Sequence, residues 1–214
     1  MANRTDPPIY QVHLWIRQIS PMIWRRVLVR SGSTLAQLHD IIQIVFGWSD
    51  SHLHRFRVHG RDYGVSRDGG LWFSQDARQV RLVDFQFRHN ERFLYEYDFG
   101  DRWQHEVRIE RGLEDQPKRA YPVCVGGQRA APPEDCGGPW AFLERRDAAP
   151  FQMSEHLEQL VERVETGDLD TVRDHLEAIA SLREWLALDR FDRRQVNRRL
   201  RLYAAGDEPW RWTS

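Results

Sequence analysis

Phe93-Leu94-Tyr95-Glu96-Tyr97-Asp98-Phe99-Gly100-Asp101-Arg102-Trp103-Gln104-His105-Glu106-Val107 decides the fold class. Aromatic side chains alternate at Phe93, Tyr95, Tyr97 and Phe99, the period of a half-buried strand. Gly100-Asp101 interrupts the alternation, and Trp103, His105, Val107 and Ile109 resume it. Two alternating runs joined by a Gly-containing turn predict a β-hairpin at the centre of a sheet. Asp98, Asp101 and His105 lie near its tip and are the candidate catalytic residues. Their chemistry suits proton transfer or the holding of a cation. The same residues also make ordinary turns, in which Asp carboxylates accept backbone N–H groups.

Outward from the hairpin, Tyr10, Val12, Leu14 and Ile16 alternate on a first strand. Ser20-Pro21 marks a turn. A second strand over residues 23–29 puts Ile23, Arg25, Val27 and Val29 on one face and Trp24 and Arg26 on the other. Leu35, Leu38, Ile41, Ile42, Val45 and Phe46 recur at three- and four-residue steps, which predicts an amphipathic helix. Ser33 or Thr34 caps it and Gly47 stops it. A strand over 52–58 carries His52, His54, Phe56 and Val58 on one face. Residues 60–70 read as a polar loop and 80–87 as a weaker strand. Residues 112–139 are rich in proline and glycine and predict a long irregular loop of functional character. Helices follow from Ser154, and the last one is capped by Asp192 and carries Arg193, Arg194, Arg198, Arg199 and Arg201.

Strands first and helices last predict an α+β fold, a roll-like or β-grasp-like mixed sheet with one early helix and a C-terminal helical module. The expected division is a flexible leader at 1–8, an α+β core at 9–150 and a helical module at 151–214 packed on the core. Hydrophobic residues make up 41% of the 214, with nine Trp and ten Phe, enough for a large aromatic core and against disorder. A net charge of −1 excludes a globally basic nucleic-acid binder and leaves room only for local patches. There is no apolar run of membrane-spanning length, no apolar leader and no cysteine framework. A cytoplasmic protein without membrane association is expected; its oligomeric state is left open.

Several ordered motifs resemble a known family: Ile23-Trp24-Arg25-Arg26, Leu35-Ala36-Gln37-Leu38-His39, Gly47-Trp48 and Ser51-His52-Leu53-His54-Arg55-Phe56. They continue with the stretch from Tyr97 to His105 and with Pro132-Pro133-Glu134-Asp135-Cys136-Gly137-Gly138-Pro139-Trp140, and end with Phe191-Asp192, Val196-Asn197 and Leu200. Together they resemble the plasmid pRiA4b ORF-3-like family. Ala141 departs from the pattern, which often has glycine there. The resemblance implies an α+β roll-like fold and a plasmid or mobile-element setting, and it supplies no mechanism.

Four groups of side chains carry chemistry. His52 and His54 share a strand face, and His39, His105, Asp98 or Asp101 can approach them; imidazole and carboxylate donors suit zinc, iron or manganese. The candidate metal ligands are therefore His52, His54, His105 and Asp101, around a divalent ion. Cys124 and Cys136 can join a zinc site or a redox pair, or Cys136 can act as nucleophile with His105 as base and Asp101 as its orienter. Asp98 and Asp101 are the third group. Arg25, Arg26, Arg55, Arg198 and Arg199 are the candidate phosphate contacts, with Trp15 or Trp24 stacking on bases. The leading expectation is a non-enzymatic accessory protein of mobile-element type that contacts nucleic acid or a protein partner. The alternative is a metal-dependent enzyme built on His52, His54, His105 and Asp101.

Overall fold

The computed structural model describes residues 7–66, 73–167 and 169–207. These residues form an α+β fold with one eight-stranded mixed sheet and four α-helices. The strands are β1 (Ile9–Ile16), β2 (Trp24–Arg30), β3 (His54–Val58), β4 (Arg61–Gly64), β5 (Gln75–Asp76), β6 (Glu91–Tyr97), β7 (Trp103–Leu113) and β8 (Val123–Gln128). Their order across the sheet is β5-β4-β3-β6-β7-β1-β2-β8, with only β4 and β5 parallel. The β6–β7 hairpin sits near the middle, in the register Tyr97 opposite Trp103, Tyr95 opposite His105 and Phe93 opposite Val107.

Alternation decides which face is covered. Val12, Leu14 and Ile16 of β1, Val27 and Val29 of β2, and the inward residues of β6 and β7 form one apolar surface. Helix α1 (Leu35–Phe46) lies on it and buries Leu35, Leu38, Ile41, Ile42 and Val45. Fully burying each such side chain contributes about 1.5–3 kcal/mol. Thr34 and Gln37 make a reciprocal capping box at its start. Gly47 ends the helix at φ +81°, a left-handed conformation that glycine adopts without β-carbon strain. Helix α4 (Arg193–Ala205), capped by Asp192, packs on α1 and β8 and buries Leu200.

Among the described residues, no helix covers the opposite face of the sheet. At one end the segment 114–122 lays Tyr121 over Ile9 and Leu28. Elsewhere that face presents Gln11, His13, Trp15, Trp24, Arg26 and Arg108, all only partly buried.

Three expectations change. Residues 82–85 form a 3-10 turn instead of a strand: Leu82 is fully buried, and the Asp84 carboxylate accepts the Arg81 backbone N–H. The span 112–139 is not irregular throughout, because it contains β8 as an edge strand on β2. Its periodicity is hidden by Gly126 and Gly127; a β-carbon at Gly127 would stand 2.4 Å from the Phe191 ring. Helix begins earlier than Ser154, with α2 (Gly138–Thr166) followed by α3 (Leu169–Leu186). These two helices pair with each other as an arm, and no described residue from 150 to 187 is buried. Of the expected leader, residues 1–6 lie outside the described residues, as do 67–70 of the expected polar loop. Among the described residues, no helix is long and apolar enough to cross a membrane.

Candidate functional site

Three segments converge beside the end of α1: the turn 48–53, the hairpin tip 98–101 and the segment 132–138. Trp48 anchors the first. It is 2% exposed, stacks on Tyr97 at 5.1 Å between ring centroids, and donates its indole N–H to the Pro132 carbonyl at 2.9 Å. Glu134 ties the segments together. Its Oε1 accepts the Tyr97 hydroxyl at 2.6 Å, and its Oε2 accepts the Ser49 backbone N–H at 2.9 Å. Asp101 joins the third: its Oδ2 accepts the Gly137 N–H at 3.0 Å.

Within this frame His52, Asp98 and Asp135 meet. Asp98 sits at φ +55° and uses Oδ1 to accept the backbone N–H groups of Gly100 at 2.9 Å and Asp101 at 3.3 Å. That turn chemistry leaves Oδ2 facing His52 Nε2 at 3.7 Å. Asp135 Oδ1 stands 2.9 Å from the same nitrogen. Both are ion-pair distances, yet neither contact has hydrogen-bond geometry, so His52 Nε2 is a buried ring nitrogen with two carboxylate neighbours and no hydrogen bond. One donor atom from each of the three residues falls within 4.8 Å of the others. Asp135 is 73% exposed and leaves the group open to solvent.

A second group, His39, Asp50 and His54, also has metal-capable spacing. Its bonding is different. His39 bonds the Tyr95 hydroxyl through Nδ1 at 2.8 Å and Asp50 Oδ1 through Nε2 at 2.7 Å. Gln43 donates to the same Tyr95 hydroxyl at 2.9 Å. The His54 ring stacks on His39 with centroids 3.4 Å apart and planes within 9°. Both nitrogens of His39 are thus used by a buried hydrogen-bond chain, which accounts for its placement without an ion.

The remaining sequence candidates separate. His105 belongs to neither metal-capable group. It is fully buried against Phe46, Trp48 and Tyr95, its Nδ1 is 3.2 Å from the Trp103 carbonyl, and burial pushes its pKa down to about 3. A ring held neutral in this way packs as a core side chain. Asp101 caps the Gly137 N–H and lies outside both groups as well. Cys124 and Cys136 are free buried thiols; burial, then the neighbouring Asp101, raises Cys136 to about 11, the reverse of an activated nucleophile.

The arginines do not form one surface. Arg25 is 1% exposed and corrects the reading of it as a phosphate contact. Its guanidinium donates to the carbonyls of Val45, Trp24 and Gln128 and lies against Phe46 and Phe191. Arg26, on the uncovered face, holds Glu110 with two bonds, and Arg55 pairs with Glu96. Arg198 and Arg199 lie on α4, in the helical layer on the other side of the sheet. Asp135, Asp50 and Glu134 were missed by sequence reasoning. The signal for two of them was present, since Glu134-Asp135 lies between a proline pair and a glycine pair that fix the backbone.

The model of the family described as "Plasmid pRiA4b ORF-3-like protein" matches residues 8–199. The chain is 32% identical over 166 residues to "Uncharacterized protein y4hQ" of Sinorhizobium fredii, covering 76% of this chain and 84% of that protein. It is also similar to a solved structure, the protein of unknown function MM3350 from Methanosarcina mazei Go1. There the identity is 31% and the TM-score 0.62, over 89% of this chain and 98% of the other.

Proposed function

We propose, from the premise that this chain belongs to the plasmid pRiA4b ORF-3-like family, that it is a divalent-metal-binding protein whose ion is held by His52, Asp98 and Asp135. The observation that carries the reading is the His52 Nε2 atom, buried between two carboxylates with no hydrogen bond. Two carboxylates converging on one ring nitrogen concentrate negative charge, and a cation between the nitrogen and the oxygens neutralises it. Metal–ligand bonds of about 2.0–2.2 Å set ligand atoms at separations like these. One imidazole and two carboxylates suit zinc, manganese or iron(II). The exposed side of Asp135 leaves coordination positions open, as a Lewis-acid or substrate-binding site requires. The matched relatives are uncharacterised and suggest no reaction.

The test is titration of chelator-treated protein with zinc, manganese and iron(II), read by calorimetry and elemental analysis. One ion per chain is expected, with His52→Ala and Asp135→Asn each weakening it at least tenfold. His39→Ala keeps the ion. No saturable binding, or binding indifferent to Asp135→Asn, overturns the proposal.

A further inference from the structure

We infer that the uncovered face of the sheet binds single-stranded nucleic acid, through a ladder of Trp, His and Arg side chains on β1, β2, β6 and β7. The strand register builds the ladder. Trp15 lies opposite Trp24 on one side and Glu106 on the other, and His13 lies between Arg26 and Arg108. The rings follow one another across the face: Trp15 to His13 at 5.0 Å and His13 to Trp24 at 5.3 Å between centroids. Guanidiniums stand over them, Arg92 and Arg108 at 5.5 and 5.6 Å from Trp15 and Arg26 at 5.2 Å from Trp24.

The charge of this patch is positive although that of the chain is not. Arg17, Arg26, Arg92 and Arg108 reach only two carboxylates, Glu106 and Glu110. Glu106 is shared between Arg17 at 4.0 Å and Arg92 at 3.9 Å, long contacts made by two half-exposed arginines. Arg111 next to them bonds Gln11, a neutral partner. His13 adds no charge, because burial lowers its pKa to about 4. Arginines in excess over carboxylates answer to phosphates, and aromatic rings interleaved with them answer to bases.

The face favours a single strand over a duplex. Its reading surface is a set of rings on a sheet face that no described helix covers, which unstacked bases can reach and paired bases cannot. None of the patch residues is His52, Asp98 or Asp135, so this inference stands apart from the metal proposal.

The experiment measures fluorescence anisotropy of a labelled twelve-nucleotide oligo-dT and of a duplex of equal length, with the whole chain, at 50 and 200 mM salt. The single strand is expected to bind at least tenfold tighter than the duplex and to weaken at least tenfold between the two salts. Arg17→Glu with Arg92→Glu, both at solvent-facing positions, is expected to lower affinity at least tenfold with an unchanged circular dichroism spectrum. Arg198→Glu, on the opposite layer, is expected to leave it unchanged. Absence of binding at 50 mM, equal affinity for the duplex, or a loss with Arg198→Glu as large as that of the Arg17/Arg92 pair overturns the inference.

Discussion

Asp101 Oδ2 accepts the Gly137 backbone N–H at 3.0 Å, so the tip of the central hairpin holds the residue that leads into α2 from a distant part of the chain. The two segments touch again at the next residue: a β-carbon on Gly138 would stand 2.5 Å from the Asp101 carbonyl, and Gly138 sits at φ +79°. Gly138→Ala combines a backbone clash with a left-handed residue, and is expected to destabilise by more than about 2 kcal/mol in urea denaturation. Asp101→Ala leaves the backbone in place and removes one charge-assisted bond, for a loss of about 1–3 kcal/mol. Because the same segment carries Asp135, that variant is also expected to lower metal affinity in calorimetry.

Tyr95 belongs to the His39 group. Its hydroxyl is the partner of both His39 and Gln43. Tyr95→Phe strips both bonds from buried groups and is expected to cost about 1–3 kcal/mol. Metal affinity at His52 is expected to change less than threefold, because Tyr95 does not touch that group. A large loss of metal affinity with little loss of stability would reverse these assignments.

His105 and His13 predict an acid-sensitive fold. Their folded pKa values, about 3 and about 4, are lowered chiefly by burial. As pH falls below about 6.5 the unfolded chain takes up protons that the folded chain refuses, so stability falls until the folded values are reached. Each group contributes a slope of about 1.4 kcal/mol per pH unit inside that window. Glu110, held near 2 by Arg26, Gln11 and Arg108 against its own burial, weakens the fold only below about 4.5. Denaturation of chelator-treated protein between pH 6.5 and 4.5 therefore isolates the histidines. His105→Leu is expected to halve the slope there, whatever its effect at pH 7.

The fold was legible where period and punctuation agree. Aromatic alternation located β6 and β7, and Thr34 and Gly47 bounded α1 because capping and left-handed geometry are local requirements. β8 was hidden because its glycines answer to the rings of Trp24 and Phe191, which come from elsewhere in the chain. Arg25 misled because burial is not written in a charge: nothing local announces three backbone carbonyls and two aromatic rings around a guanidinium. The candidate site was half legible. His52 and Asp98 were visible as chemistry near the hairpin, but Asp135 reaches them only through the anchoring of the Pro132–Gly138 segment on Trp48, Ser49, Tyr97 and Asp101.

The α2–α3 arm gives the near-zero net charge another meaning. Residues 151–186 hold nine carboxylates and three arginines out of the chain's thirty-two acidic and thirty-one basic side chains. The rest of the protein therefore carries more positive than negative charge, and neutrality is a cancellation between two ends. The molecule is an electric dipole. It will turn in the field of a polyanion so that its body approaches first and its arm is held away, and a version lacking the arm would behave as a basic protein.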